Sequence, residues 1–306
     1  MNYDTRHRTT SASPTGLLEH APRPGVVVAD DGRELTTTTF EPVIPVVAVA
    51  LIAPAMATPA SYYSAFARHL AEHGVRTVTF DYRTGTGSAD QMKAESADVD
   101  RWMSDASSVL TAAADEADRD GVPLTWIGHS LGAQIVPFVD HERLASLITI
   151  AAGDGYWRRN ARGLRWKVPV LWWIVAPVAM ALTGYFPGRR LGLGGDLPSG
   201  VLRQWSQWCR HPHYLEVDHP DAAARFAAVK TPMMSLSFTD DEVLSKASVD
   251  HLNSWYTGMA DQVRQRYSPA QLEVERMGHH GFFRPQHAGL WDELVAPWIP
   301  TASAVA

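Results

Sequence analysis

The chain has a single cysteine, Cys209, among its 306 residues. One thiol makes no internal disulfide, and nothing here requires an oxidising compartment. Basic runs are missing too. The formal net charge is −6, with 27 Lys and Arg against 33 Asp and Glu. A phosphate backbone needs clustered cations, so no nucleic-acid partner is expected. Residues 1–20 hold no apolar stretch of the kind a secretory signal needs. They are rich in Ser, Thr and charge and read as a mobile tail, taken to residue 24. A cytoplasmic location is the expectation. There is no repeat of fixed period and no long low-complexity tract. A phosphate-binding loop is also absent, because Gly192-Leu193-Gly194-Gly195 lacks a following Lys and a preceding strand. No cofactor is expected.

One absence points the other way. Val168 to Gly188 contains no charged residue. Its run of Val170, Leu171, Trp172, Trp173, Ile174 and Val175 extends through Met180 and Leu182. Roughly 20 apolar residues suffice to span a bilayer, although Pro169 and Pro177 would disrupt a straight helix.

The rest has an ordinary globular balance, 45% hydrophobic and 20% charged, enough for a large core. Apolar strand-like runs alternate with helical patterns. Val26–Ala29, Thr36–Phe40, Val46–Ile52, Val75–Phe80, Leu124–Ile127, Leu147–Ala151 and Met233–Phe238 read as strands. Val46–Ile52 is continuously apolar, as in a strand buried on both faces. Tyr63, Phe66, Ala67, Leu70 and Ala71 recur at helical spacing and are closed by Gly74. Val99 to Ala113 marks a long amphipathic helix, and Leu131–Asp140 a further one. Later, Val243–Arg266 reads as a helix, Leu272–Met277 as a last strand and His287–Trp298 as a last helix. Such alternation predicts an α/β class with a mostly parallel central sheet flanked by helices. It breaks between about residues 153 and 224, which are rich in Trp, Arg, Pro and Gly. This block is expected to be a cap inserted into a core formed by residues 25–152 and 225–300.

Gly128-His129-Ser130-Leu131-Gly132 fits G-x-S-x-G between a predicted strand and a predicted helix. A sharp turn there holds the serine in a strained conformation and lifts its hydroxyl out of the sheet. The flanking glycines let the turn pack closely, and the Leu131 N–H points toward a reacting carbonyl oxygen. A serine needs a base, and the base an orienting acid. After Ser130, Thr239-Asp240-Asp241-Glu242 follows a strand, leaving Asp240 and Asp241 as candidates. Met277-Gly278-His279-His280-Gly281-Phe282-Phe283 holds the histidine. His279, directly after the glycine, is favoured over His280. An imidazole with a pKa near 6.5 can take and return a proton at neutral pH.

These residues resemble the α/β-hydrolase superfamily, and within it bacterial sequences near serine aminopeptidases and monoglyceride lipases. The resemblance covers about Val46 to Trp298. It rests on the Ser130 pentapeptide, on Asp81-Tyr82-Arg83 after a strand, on the His279 segment and on Gly153-Asp154-Gly155-Tyr156-Trp157. It implies the chain order serine, acid, histidine, and an acid slightly deep in its loop, which selects Asp241. It also implies an oxyanion donor after the early buried strand. Here that place reads Ala53-Pro54-Ala55-Met56 where many relatives have His-Gly, and the backbone N–H of Met56 is assigned. Asp81-Tyr82-Arg83 is read as scaffolding.

With Ser130 before Val168–Gly188 and Asp241 and His279 after it, a single crossing would part the serine from its base. The segment is therefore expected to be cap structure, with at most weak membrane-surface contact. Trp172 and Trp173 are expected to line an apolar pocket beside Ser130. His211, His213, Asp218 and His219 show no matching ligand geometry, and no metal is expected. The expected partner is a small hydrophobic ester, cleaved by acyl transfer to water. Thioesters, small-peptide amides and acyl transfer to another acceptor use the same residues, and a silent binding protein would keep only the fold.

Overall fold

The computed structural model describes residues 21–302. Their framework is one eight-stranded sheet in the order β1-β2-β4-β3-β5-β6-β7-β8. The strands are β1 Arg23–Val28, β2 Glu34–Phe40, β3 Ala48–Ala53, β4 Val75–Phe80, β5 Leu124–His129, β6 Ser146–Ile150, β7 Met233–Phe238 and β8 Gln262–Tyr267. Both pairings of β2 are antiparallel, and β3 through β8 run parallel. Strands β3, β5, β6 and β7 are buried along their whole length. That explains their unbroken apolar reading, since helices cover both faces. The principal helices are α1 Ser64–Glu72, α2 Val99–Asp120, α3 Leu131–Gln134, α4 over 168–183, α5 Ser199–Arg210, α6 Lys246–Ser254 and α7 Gly289–Leu294.

Strand order reverses around β3, whose neighbours are β4 and β5. Ligands of open α/β sheets bind at such a switch point, outside the carboxyl ends of the strands. Met56 follows β3 and Ser130 follows β5, so both stand at that crevice.

Several sequence expectations change. Arg23 and Pro24 belong to β1, not to a tail; the rest of the tail reading lies on residues 1–20, outside the described residues. Helix α3 stops at Gln134 and gives way to a 3-10 turn at Val136–Phe138. Pro137 there lacks an N–H and cannot continue an α-helix. The expected helix 243–266 divides into α6 and the strand β8. As an edge strand, β8 has one neighbour and is partly exposed, so its polar sequence Gln-Val-Arg-Gln-Arg-Tyr did not announce it. Leu272–Met277 is no strand. Its alternation reflects turns, with the Leu272 and Val274 N–H groups bonded back to the Pro269 carbonyl. The last helix shortens to α7 between two 3-10 turns.

The segment between β6 and β7 is largely helical. Its charge-free part forms α4, in which a π turn over Leu171–Val175 joins two α segments. The Ala176 N–H reaches the Leu171 carbonyl, and this extra residue accommodates Pro177. Sixteen helical residues rise about 24 Å, short of the ~30 Å hydrocarbon core. Among the described residues, no helix is long and apolar enough to cross a membrane.

Asp81-Tyr82-Arg83 ties down the loop after β4. Asp81 accepts the Ala60 N–H at 2.8 Å, and Tyr82 stacks on Trp102 at 4.6 Å. Arg83 forks onto Asp105, at 2.7 and 2.5 Å, and reaches Asp31 at 2.8 Å. The Asp105 side chain is wholly buried, and burial pushes its pKa up against the pull of Arg83. Replacing Arg83 by methionine leaves that buried carboxylate with only the Arg101 guanidinium, 3.9 Å away, and should cost about 3–5 kcal/mol. Urea unfolding measures this; a loss under about 1 kcal/mol, the range of an exposed pair, would contradict it.

Candidate active site

Ser130 sits where β5 turns into α3, with φ 51° and ψ −111°. A non-glycine residue holds such a conformation only where its surroundings over-determine it. Here the neighbours do so. A Cβ on Gly132 would collide with the Ala53 carbonyl, and one on Gly128 with the backbone of Ala133. Only glycines at both places let the elbow close against β3.

His279 stands opposite. Its Nε2 lies 3.1 Å from Ser130 Oγ, and its Nδ1 lies 2.9 Å from Asp241 Oδ2. The other Asp241 oxygen accepts the N–H groups of Val243 and Leu244 at 2.7 and 2.8 Å. The carboxylate is thereby fixed at both ends. The flanking acids act on the histidine loop. Asp240 Oδ2 accepts the N–H groups of Met277 and Gly278, and Glu242 accepts that of His279 at 3.1 Å. Asp240 thus clamps the segment that presents His279. The backbone N–H groups of Met56 and Leu131 have no acceptor among the described residues, and both residues stand at the switch point beside Ser130.

His280 does not reach Ser130. Its Nε2 is 3.4 Å from Thr58 Oγ1, and its carbonyl accepts the Tyr62 hydroxyl at 2.5 Å. Burial, with the neighbouring His279, pushes its pKa down to about 4. A third histidine lies beneath. His129 Nε2 is 3.0 Å from the His279 carbonyl, its Nδ1 is 2.8 Å from the Tyr63 hydroxyl, and that hydroxyl oxygen accepts the Ala55 N–H at 2.9 Å. A carbonyl only accepts, so His129 carries its proton on Nε2 and receives the Tyr63 O–H at Nδ1. Burial holds it neutral. The chain Ala55–Tyr63–His129–His279 joins the three loops that meet at Ser130.

Ser130 opens into a cavity of about 300 Å³ with a mainly apolar lining that includes Met56, Leu171, Trp172, Phe186, Leu202 and Trp205. Gln134 and Tyr214 hold one polar end, joined by a 2.7 Å hydrogen bond. Trp172 lines this space. Trp173, expected beside it, does not: consecutive helical residues face about 100° apart. Its ring is half exposed, beside Trp157 and under the Arg210 guanidinium.

Residues 45–183 match the family described as serine aminopeptidase, S33. Solved structures agree with the architecture. A soluble variant of monoglyceride lipase from Saccharomyces cerevisiae, bound to a substrate analog, superposes with a TM-score of 0.60 at 14% identity. That match covers 83% of this chain and 88% of the other. A putative hydrolase from Agrobacterium vitis gives 0.58 at 14% identity, over 92% and 99% of the two chains. An esterase from Pyrococcus furiosus gives 0.57 at 12% identity, over 96% and 97%. The chain has the α/β-hydrolase fold. No curated protein matches it by sequence.

Within this fold, Ser130, Asp241 and His279 come together from three separate loops, while Asp240 and His280 stay beside them. Tyr63 and His129 carried no sequence signal for their linking role. Tyr63 read as one more apolar residue of the α1 stripe, and His129 as the variable position of the pentapeptide. His211 and His213 stay together, their ring centroids 5.3 Å apart, while Asp218 accepts from Trp208 and Gln207 and His219 pairs with Asp100.

The low pKa of His280 has a consequence for stability. In the unfolded chain a histidine binds its proton near pH 6.5; in the fold it does so only near 4. The stabilisation it brings is complete above about 6.5 and is lost as pH falls toward 4. Unfolding free energies between pH 7 and 4.5 should therefore fall more steeply for the native protein than for His280→Asn. Equal slopes would contradict the assignment.

Proposed function

We propose that this protein is a serine hydrolase that cleaves carboxylic esters with a hydrophobic acyl or alcohol group through an acyl-enzyme on Ser130. The observation that carries the reading is the 3.1 Å approach of His279 Nε2 to Ser130 Oγ at the edge of an apolar cavity. His279 takes the hydroxyl proton as Oγ adds to the ester carbonyl. Asp241 holds the ring and stabilises the imidazolium. The carbonyl oxygen gathers charge and accepts the N–H groups of Met56 and Leu131. The tetrahedral adduct expels the alcohol, which leaves with the proton from His279. Water then repeats the sequence on the acyl-enzyme, releasing the acid and restoring Ser130. That solved relatives of this fold include an esterase and a monoglyceride lipase favours esters over amides.

Each methylene buried in the cavity is worth about 0.8 kcal/mol, so kcat/KM on 4-nitrophenyl esters should rise up to about fourfold per carbon from acetyl to hexanoyl. His279→Ala should lower kcat by about 10⁴-fold or more, and His280→Ala by roughly tenfold or less. Rates that fall steadily as the acyl chain lengthens, or a dead His280→Ala beside an active His279→Ala, would overturn the reading.

The outer face of α4 supports a hydrophobic substrate source. Val170, Ile174, Val178 and Leu182 recur every fourth residue and are exposed, Leu182 by 81%, with Trp166 exposed by 74% just before them. Arg162, Arg165 and Lys167 precede this stripe and Arg189 and Arg190 follow it, while its inner face lines the cavity. An apolar stripe with Trp and basic flanks suits weak contact with an anionic lipid surface. Co-sedimentation with vesicles of phosphatidylglycerol and phosphatidylcholine should exceed that with phosphatidylcholine alone and should drop for Ile174→Glu with Leu182→Glu. Equal recovery with and without vesicles would refute the contact.

A further inference from the structure

Away from the cavity, α1 and α7 bring together His69, His73 and Asp292. All three candidate ligand atoms lie within 4.8 Å of one another. His69 and His73 are four residues apart on α1, so their side chains share one face. His69 Nε2 is 2.7 Å from Asp292 Oδ1, and His73 Nε2 is 3.8 Å from the same oxygen. The third group comes from a helix more than 200 residues later in the chain.

One hydrogen bond prepares His73 for a cation, whereas the Nε2–H that His69 donates to Asp292 is given up when a cation binds. His73 Nδ1 lies 2.8 Å from the His69 carbonyl. A carbonyl accepts, so Nδ1 carries the hydrogen and the neutral ring has its lone pair on Nε2. That lone pair faces a carboxylate that is itself an acceptor. A ring N–H bonded to a backbone carbonyl is the outer contact that metal-binding histidines ordinarily make, since it fixes which nitrogen is free. His69 is steadied from below, where its ring meets the edge of the buried Trp291 at 5.1 Å. Zinc takes N and O ligands at about 2.0–2.2 Å in a tetrahedron, so its ligand atoms stand about 3.3 Å apart. The 2.7 and 3.8 Å spacings bracket that figure, and small side-chain rotations close the difference. Two imidazoles and one carboxylate suit zinc-class ions; magnesium and calcium prefer all-oxygen sets.

We propose that His69, His73 and Asp292 bind a zinc-class divalent ion with water in the fourth position, tying α1 to α7. Helix α1 begins directly after Tyr63, and α7 follows the His279 loop, so the ion braces the side of the fold from which the base is presented. None of the three lines the cavity at Ser130, so the ion acts on stability and not on the chemistry.

The full chain, stripped with EDTA and desalted, is titrated with zinc chloride by calorimetry and by thermal unfolding. One saturable site is expected, with Tm rising about 4–8 °C at a hundredfold excess over Kd. Magnesium chloride should give no rise. His73→Ala and Asp292→Asn should each weaken binding at least about tenfold, the low end of what losing even an outer contact to a ligand costs, and remove the Tm shift. His211→Ala, outside the cluster, should keep both. His73→Gln serves as a second variant should the alanine lower the metal-free Tm. No saturable binding by the native chain, or equal binding by the native chain and both His73 variants, would overturn the site and leave a plain His–Asp ion pair.

Discussion

The arrangement depends on holding one imidazole, that of His279, between a carboxylate and a hydroxyl. An imidazole on a loop has many places to point, and each must be closed off. Asp241 fixes Nδ1 from the side, and its second oxygen is itself tied to two backbone N–H groups. Asp240 and Glu242 hold three consecutive backbone N–H groups of the same loop. His129 takes the His279 carbonyl from beneath. Three adjacent acids thus act on one loop in two ways, through a ring nitrogen and through the chain on which the ring is mounted. A buried neutral histidine completes the support because it can donate at one nitrogen and accept at the other.

The switch point of the sheet gives this site its place, and the helices between β6 and β7 give it its walls. Strands β3 and β5 deliver Met56 and Ser130 side by side without any long-range fitting, since parallel neighbours end at one edge. The segment between β6 and β7 then walls the space beside them. Helix α4 is apolar on both sides. One lines the cavity, and the other is the exposed stripe between basic flanks. A segment that looks like a membrane span in one dimension is a wall seen edge-on.

Much of this was legible in the residues. The buried parallel strands announced themselves as unbroken apolar runs, and the glycines around Ser130 announced the elbow. The chain order of Ser130, Asp241 and His279, and the preference for Asp241, came from the family resemblance, and His279 follows turns where a strand was expected. What was hidden shares a physical cause. Strand β8 is partly exposed, so it lacks the apolar signature that marks its neighbours. Leu272–Met277 alternates because a turn, like a strand, can bury every other residue. Tyr63, His129 and the pair His69 and His73 act through partners far along the chain, and no local pattern records those. Trp173 was misplaced beside Trp172 for the same reason that a helix differs from a strand: neighbours in sequence point apart.

The central claim is that His279 makes the Ser130 hydroxyl a nucleophile. The most direct measurement is reaction of the full chain with a fluorophosphonate ester, followed by mass spectrometry of its peptides. The account predicts a single stoichiometric phosphonyl adduct on the peptide bearing Ser130, absent in Ser130→Ala and slowed by orders of magnitude in His279→Ala. An unlabelled native chain, or a Ser130→Ala protein labelled as fully as the native one, would contradict it.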